Sequence, residues 1–510
     1  PPLRKSSTDG DRVREIERYA KQKLDEFLRE QHPALPPLRT QPRWSLTETL
    51  EQLRDRVQIL FRKTVTLTKV AVICLAVAFL GLIVAFSIQA HRPVAIIADS
   101  TDAEWRSAKE SEAVLYRGWH YLEAGYARID MRKGAEVLLQ APCALELTSS
   151  NELYLESGSL CAKVPQRAQG FTVETSSSKI VDYGTEFGAM VGGDQQVEVH
   201  VFKGGVGVGT KAVAKALPLQ KLSAGNAAVL SGNRNIQVRP LAERTRLFAR
   251  SLPNEGALGI PGKRIDLADL VGNGNGFGTG QIGHGIDLSS GQFVPVQVIA
   301  SNTKAEGYVS LPDVAFIDGV FIPDGAQTGK VTISSTGLVF EGCPDTRGHI
   351  RGYLINGAIF GGGDQDIDNS VHFGALQGRT YGSKQLSSIG MHANAGITFD
   401  LDAIRRSVQD RHLARFTALG GISETAGHNF DGFYGDGDDR YRVTVDFWIL
   451  VDGQVQFYRR LNAVPSEPAA IDVELPPSAR FLTLMTTDSQ TRTAHCWGMF
   501  AQPVLELAKP

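Results

Sequence analysis

The sequence predicts a mainly β protein with a short helical arm and one membrane-spanning helix near its N-terminal end. Three observations lead to this prediction. Residues 1–64 space their apolar side chains as helices do, and residues 70–90 form a run without charge. Beyond residue 93, short stretches alternate apolar and polar residues between Gly, Ser, Asn and Asp, which is typical of strands.

The arm, residues 1–64, contains two candidate helices. In residues 11–30 the apolar side chains recur at helical spacings: Val13, Ile16, Tyr19, Leu24 and Phe27. After a Pro-rich linker, Ser45 and Glu48 form a capping box for a second helix, Leu46 to about Lys63. The arm suits either a solvated stalk or a docking surface for a cytoplasmic partner. Because the chain begins Pro-Pro without Met, we expect the native arm to start earlier.

The uncharged run Val70 to Ala90 predicts a membrane helix, placed at residues 66–90 with its flank. At about 1.5 Å per residue it covers roughly 30 Å, the thickness of a bilayer core. A signal peptide would be shorter and nearer the start, and a core helix would show a polar face. Basic residues crowd its N-terminal side: Arg54, Arg56, Arg62, Lys63 and Lys69. The positive-inside rule therefore predicts a single-pass protein with the arm in the cytoplasm.

The net charge of the chain limits the kinds of partner that it is expected to bind. A formal net charge of −2 argues against a protein that coats nucleic acid, so no direct nucleic-acid contact is expected. Residues 1–64 hold 14 Lys and Arg against 10 Asp and Glu, which suits a membrane surface or an acidic partner. Four cysteines lie beyond the run, and Cys143 with Cys161 is the favoured disulfide, the alternative being buried free thiols.

Three β regions follow the run: residues 94–250, a Gly-rich region or linker domain at 257–377, and a β-sandwich at 378–510. Residues 244–256 are expected to form a short helix and a linker. The run GNGNGFGTGQIGHG at 272–285 lacks the Gly-Lys-Ser/Thr ending of a phosphate loop and is interpreted as a flexible surface loop.

No motif indicates a catalytic site, so the protein is not expected to be an enzyme. The eleven His residues include no His-Glu-x-x-His, and no Gly-x-Ser-x-Gly occurs. The acidic stretch FDGFYGDGDDR offers Asp431, Asp436 and Asp438 as calcium ligands. Because Arg442 stands where an EF-hand needs Glu, an ordinary acidic hairpin loop is the alternative. No other cofactor is expected.

Residues 170–203, GFTVETSSSKIVDYGTEFGAMVGGDQQVEVHVFK, resemble the FecR-type domain of membrane-anchored sigma-factor regulators. The similarity centres on a signature of five residues: Asp182, Gly184, Thr185, Glu186 and Phe187. It extends over about 110–250, and we call residues 94–250 the FecR-like region. Locally, Gly184 and Gly188 let the chain turn, while Thr185 and Phe187 alternate faces around them.

Residues 378–507 resemble the NPCBM module, a β-sandwich class associated with carbohydrate binding. The segments SKQLSSIGMHANAGITFDL, RFTALGGIS, FWILVDGQVQFYR and RFLTLMTT carry this resemblance. It implies a ligand site at His392, His495 and Trp497. Ser423 and Ala494 depart from the family, each standing where it often has Asp, so the fold transfers better than the sugar-binding activity.

The FecR resemblance implies a bacterial inner-membrane protein whose cytoplasmic arm contacts a sigma factor and whose periplasmic region receives a signal. On the outer side, a polysaccharide or an envelope protein is the expected partner. The alternative is a carbohydrate-binding or scaffold protein of the cell envelope without a transcriptional role.

Overall fold

The computed structural model describes residues 16–24, 27, 50–59, 74–81, 92–107, 113–192, 195–211, 219–231, 235–241, 246–253, 256–295, 307–326, 328–348, 353–361, 371–408, 411–428, 443–462, 466–488 and 496–509. The predicted mainly β fold is confirmed, because the described chain is dominated by antiparallel strands. The chain divides into two compact units, Pro1–Phe86 and Ser87–Pro510.

The first unit is helical wherever it is described. Residues 16–24 and 50–59 are helical, in agreement with the two helices expected in the arm. Residues 74–81, which lie within the uncharged run, are helical as well; the rest of that run lies outside the described residues. Within the described part of the chain, no helix combines the length and the apolar character that a membrane crossing requires.

The FecR-like region forms one 13-stranded sheet. Its strands are β1 (Ala95–Trp105), β2 (Val114–Leu115), β3 (Gly118–Met131), β4 (Glu136–Ser149), β5 (Glu152–Lys163), β6 (Thr172–Glu174), β7 (Ser178–Asp182), β8 (Glu186–Val191), β9 (Val197–Lys203), β10 (Gly205–Thr210), β11 (Gln220–Ser223), β12 (Asn226–Ser231) and β13 (Asn235–Pro240). Their main order is β11-β10-β7-β6-β5-β4-β3-β1-β2, and a branch β8-β9-β12-β13 leaves β5.

The branch begins where the long strands β3, β4 and β5 are interrupted. Register shifts occur in β3 after Leu122 and in β4 after Gln140. In β5, Gly158 has φ +100°, and a Cβ there would lie 2.4 Å from the Pro142 carbonyl oxygen, so only glycine fits. Before this point β5 pairs in parallel with β6, and after it β5 pairs antiparallel with β8. The sheet thereby encloses its own apolar core.

The rest of the second unit is a two-sheet sandwich. Its strands are β14 (Arg264–Asp266), β15 (His284–Asp287), β16 (Phe293–Pro295), β17 (Tyr308–Ser310), β18 (Ile317–Phe321), β19 (Val331–Thr332), β20 (Val339–Phe340), β21 (Tyr353–Asn356), β22 (Ala358–Gly361), β23 (Val371–Phe373), β24 (Ala375–Leu376), β25 (Arg379–Thr380), β26 (Ser388–Met391), β27 (Ala395–Asp400), β28 (His412–Ile422), β29 (Val445–Val451), β30 (Gln454–Leu461), β31 (Ala469–Glu474), β32 (Phe481–Thr487) and β33 (Gly498–Ala508). Its short helices are α1 (Leu267–Val271), α2 (Leu401–Ser407) and α3 (Thr425–His428).

One sheet of the sandwich has the order β16-β15-β21-β26-β33-β28-β31, with β14 also paired to β33. The other has the order β17-β18-β27-β32-β29-β30. Buried side chains of both sheets form one core, in which the rings of Phe447 and Phe500 meet edge to face at 5.4 Å between centroids.

The structure corrects two expectations about chain organisation. Residues 257–377 are not a separate linker domain, because β14 to β18 and β21 are members of the same two sheets as the strands after residue 378. The sandwich therefore starts near residue 257. The expected short helix at 244–256 is also wrong for its described part, because residues 246–253 contain no helix. We call residues 246–253 the connector.

Candidate functional site

The signature turn is built around the buried carboxylate of Asp182, the last residue of β7. Oδ2 of Asp182 accepts a hydrogen bond from the Gly184 amide at 2.7 Å, and Oδ1 accepts one from the Thr185 hydroxyl. Gly184 has φ +92°, a conformation that favours glycine. Burial raises the pKa of Asp182, and the hydrogen bonds oppose that rise. The turn thus closes on itself within four residues.

Glu186 ties the signature to the connector. The Arg250 guanidinium donates two hydrogen bonds to the Glu186 carboxylate, at 2.6 and 2.7 Å, and lies 4.8 Å from the centre of the Phe202 ring. This bidentate geometry is the stronger kind of ion pair. It holds the pKa of Glu186 below its usual range.

The next two residues of β8 face opposite sides of the strand, one toward the core and one toward the connector. Phe187 is fully buried in the core of the FecR-like region. On the other face, Gly188 lies under the ring of Phe248, which a Cβ on Gly188 would approach to 2.6 Å. The signature strand therefore packs inward through one residue and receives the connector through its neighbours.

The glycine-rich loop, residues 272–285, is wrapped around a second buried carboxylate. Asp269 in α1 accepts hydrogen bonds from the amides of Gly276 at 2.8 Å and Gly280 at 2.7 Å. Burial raises the pKa of Asp269. Residues 274–277 are buried, so the expectation of a flexible surface loop is wrong. The run is rich in glycine because the chain must come close to Asp269; a Cβ on Gly274 would lie 2.2 Å from its Oδ2.

The same loop joins the sandwich to the FecR-like region. Asn275 donates from Nδ2 to Gln140 Oε1 at 2.9 Å and to the Leu247 carbonyl at 3.1 Å. The Tyr126 hydroxyl shares its one proton between Gln140 Oε1 at 3.2 Å and the Phe277 carbonyl oxygen at 3.4 Å. Tyr126 and Phe277 are also members of the apolar cluster that forms the sandwich core. The two β regions thus share buried contacts, and the connector takes part in them.

A cleft of about 510 Å³ opens along this joint. It is lined by β9 of the FecR-like region, by the connector, by residues 277–279 of the glycine-rich loop and by Lys384 of the sandwich. Its cationic side chains are Arg246, Arg250 and Lys384. Lys384 donates from Nζ to the Gly278 carbonyl, which adds a second hydrogen bond to the loop that Asp269 holds.

Residues 123–207 match the family model described as FecR protein. The match contains the whole signature turn and β8, so the resemblance inferred from the signature is confirmed over this segment. The matched segment is a minority of the chain. None of the curated proteins compared with the chain matches it.

Solved structures that resemble parts of the chain fall into two kinds. A candidate anti-sigma factor from Parabacteroides distasonis is 20% identical with a TM-score of 0.20, covering 22% of this chain and 55% of that one. A CBM51 module of GH95 from Clostridium perfringens, in complex with methyl-galactose, is 15% identical with a TM-score of 0.21, covering 29% and 91%. The tandem CBM51 modules of Sp3GH98 from Streptococcus pneumoniae are 10% identical with a TM-score of 0.23, covering 82% and 88%.

These structural likenesses are too distant to support an argument about this chain. The chain spans about half the length of the anti-sigma-factor structure. Ligands and partners of these proteins are therefore statements about those proteins alone.

The ligand residues implied by the NPCBM resemblance do not form an open site where they are described. His392 and Trp497 are only 3% and 4% exposed, and the His392 Nδ1 lies 2.6 Å from the Ala393 carbonyl oxygen. His495 lies outside the described residues, as do the candidate calcium ligands Asp431, Asp436 and Asp438. Among the described residues, no three His, Cys, Asp or Glu side chains are grouped to hold a metal ion.

The expected disulfide is not formed. Cys143 and Cys161 are both free and buried. Cys161 lies opposite Leu138 of β4, whereas Cys143 is farther along that strand, opposite Leu122 of β3, and the two thiols belong to different apolar clusters. Burial raises the pKa of each thiol to about 12, which leaves both protonated at neutral pH.

The cationic residues of the cleft were not among the predicted site residues. Arg246 and Arg250 lie in RTRLFAR, which the pattern assigned to a helix and a linker. Two arginines on either side of Phe248, just beyond the last strand of the FecR-like region, were the available signal. Lys384 gave no such signal, because only the fold brings it to the connector.

Proposed function

We propose that the chain is a single-pass regulator of an extracytoplasmic-function sigma factor in the inner membrane of a bacterium. The arm lies in the cytoplasm and contacts the sigma factor, while the FecR-like region and the sandwich lie in the periplasm and receive the signal. The outer region binds a ligand or an envelope partner and is not an enzyme.

The FecR match at residues 123–207 carries this proposal. Within the matched segment, Glu186 of the signature and the neighbouring Gly188 hold the connector to β8, an arrangement that suits a receiving domain. A conformational change in the sandwich can therefore be transmitted to the signature through the connector, which is short and tightly held. Transmission requires that the ligand have different affinities for two states of the chain.

The first unit supports the membrane part of the proposal. Residues 16–24 and 50–59 are exposed helices whose apolar side chains, such as Tyr19 and Leu53, are free to contact a partner. Residues 74–81 expose large apolar side chains, with Leu75 at 70% and Phe79 at 66%. Such side chains suit a lipid environment, and the basic flank of the run supports the orientation.

The proposal is tested by capture of the sigma factor. The chain is expressed from its own reading frame with a C-terminal tag, solubilised in detergent and purified, and copurifying proteins are identified by mass spectrometry. We expect a sigma factor that is lost when residues 1–64 are removed and retained when the sandwich carries Arg379→Gln, a change at an exposed residue. Absence of any sigma factor, or its retention without residues 1–64, would contradict the proposal.

A further inference from the structure

We infer that the cleft along the joint binds a small ligand that carries a carboxylate on a ring-sized, partly apolar body. This inference rests on the proposed function in naming the chemical class of the outer signal, whereas the binding itself depends only on the second unit. It follows from the size of the cleft, from its charge and from the two β regions that build it.

The size of the cleft suits a small molecule. Its volume of about 510 Å³ lies within the range of about 300–1,000 Å³ that is usual for such sites. Its walls are held in place before any ligand arrives. The Arg250–Glu186 pair fixes one wall, and the Asp269-centred loop with the Lys384–Gly278 hydrogen bond fixes another. A preformed site binds at a lower ordering cost than one that must be assembled.

The charge of the cleft favours an anion. The side chain of Arg246 is exposed and makes no hydrogen bond or ion pair among the described residues. Its backbone is nevertheless fixed, because its amide donates to the Asn273 carbonyl at 3.2 Å and its carbonyl accepts from Thr279 at 2.9 Å. Lys384 adds a second positive charge, although it also interacts with the buried Asp269 carboxyl, and Arg250 is already paired with Glu186. The planar guanidinium of Arg246 can pair with a carboxylate through two hydrogen bonds.

Apolar groups beside these charges indicate the rest of the ligand. Phe202, Leu247 and Leu252 are partly exposed in the cleft wall, and Ser251 next to them is exposed with its hydroxyl unpaired among the described residues. A bare inorganic anion would leave these apolar surfaces in water. A ring with one apolar face and a carboxylate uses both features, since apolar burial and a charged hydrogen bond add to binding.

The position of the cleft gives binding a consequence for the joint. Its walls come from both β regions and the connector, so a bound ligand stabilises the arrangement in which the two are docked. The ligand thus acts on the segment that Glu186 and Gly188 hold.

The test is titration calorimetry on the full chain in detergent micelles with three probes: glucuronate, glucose and cyclohexanecarboxylate. We expect an acid to bind and glucose not to bind. Arg246→Gln and Lys384→Gln should each weaken that acid roughly tenfold, the effect of losing one charged hydrogen bond. Raising NaCl from about 50 to about 500 mM should weaken it as well. Binding of glucuronate identifies a sugar acid, and binding of cyclohexanecarboxylate alone identifies an apolar acid.

The matched control is Arg379→Gln, which removes an exposed arginine of the sandwich outside the cleft. It should bind the acid as the unmodified chain does. Circular dichroism and the thermal midpoint of each variant show that it is folded. The inference is overturned if no acid binds up to about 10 mM, if glucose binds equally well, or if folded Arg246→Gln and Lys384→Gln bind like the control. Retention of sigma-factor capture in the same preparations separates this failure from that of the proposed function.

Discussion

The second unit contains two buried aspartates that accept backbone hydrogen bonds, and they differ in how far along the chain the donors lie. Asp182 receives its bonds from Gly184 and Thr185, two and three residues away. Asp269 receives its bonds from Gly276 and Gly280, seven and eleven residues away. The first carboxylate shapes one turn of the FecR-like region. The second organises a loop that also contacts that region through Asn275 and Phe277.

This difference indicates how far damage at each site should spread. Loss of a local turn leaves the neighbouring strands paired, because their ladder does not depend on it. Loss of the centre of a buried loop removes the support of every contact that the loop makes, including those that join the two β regions. Four substitutions test this contrast, in order of decreasing expected effect.

Asp269→Ala should have the largest effect. It leaves the buried amides of Gly276 and Gly280 without an acceptor, which should lower the free energy of unfolding by about 2–5 kcal/mol. Denaturant unfolding measures this loss. Hydrogen exchange should show faster exchange both in residues 274–280 and around Tyr126 of the FecR-like region.

Two matched variants accompany it. Asp269→Asn replaces one acceptor by a donor that faces an amide, so it should behave almost as badly as Asp269→Ala. Asp345→Ala changes an exposed aspartate of the sandwich and should stay within about 0.5 kcal/mol of the parent. If exchange around Tyr126 is unchanged in Asp269→Ala, the loop does not couple the two regions.

Asp266→Asn should change the pH dependence of stability. Burial, with Asp269 close by, raises the pKa of Asp266 from 3.8 to about 7. The folded state then holds a proton that the unfolded state has released, so the contribution of this carboxyl is full below about pH 4 and is lost as the pH rises through about 7. The neutral amide keeps an acceptor for the Ala268 amide and has no such loss.

We therefore expect Asp266→Asn to gain on the parent between pH 5 and pH 8, by roughly 2–3 kcal/mol at the upper end. Denaturant midpoints at several pH values measure the gain. A difference that is constant over this interval would show that Asp266 does not titrate there.

Asp182→Ala should have a smaller and more local effect. The Gly184 amide and the Thr185 hydroxyl lose their acceptor, which should lower the free energy of unfolding by about 1–3 kcal/mol. Hydrogen exchange should accelerate at residues 183–185 and remain unchanged in the glycine-rich loop. Faster exchange in that loop would show that the effect of Asp182 is not local, contrary to the prediction.

Arg250→Gln should have the smallest effect on stability. The Arg250 side chain is half exposed, so its pair with Glu186 should contribute about 1 kcal/mol or less. Because the pair lowers the pKa of Glu186, this contribution is present at neutral pH and is lost as the pH falls through the lowered pKa of Glu186. A double-mutant cycle with Glu186→Gln isolates it. A coupling energy near zero at pH 7 would mean that packing alone, such as Phe248 on Gly188, holds the connector.

The same contrast explains what the sequence could predict. The strands around Asp182, and those of the sandwich after residue 378, follow from alternation and are confirmed. The turn at Gly184 was also visible, because its hydrogen bonds lie within four residues. Such features can be predicted because the residues that determine them are neighbours in the sequence.

What the sequence could not predict depends on partners distant in the chain. The glycines at 272–285 look flexible unless Asp269 is known to lie within their loop. Likewise, Arg264 to Asp266 give only a short strand signal, yet they pair with residues 504–506. Cys143 and Cys161 looked close in sequence, but the register of β4 and β5 separates them. Closeness in sequence therefore gave a wrong disulfide prediction, and separation in sequence hid a strand pairing.

The position of β33 in its sheet determines when the sandwich can finish folding during synthesis. One edge of β33 pairs with β28, and its other edge pairs with β26 and β14. A ribosome that has not yet released residues 498–508 therefore holds a sheet whose central member is missing. Any nascent or truncated chain ending earlier exposes unpaired edges in the middle of the sandwich, where intermolecular pairing is easiest. This sheet of the sandwich should consequently be completed only after residues 498–508 have been made, and a chain truncated before β33 should be prone to aggregate.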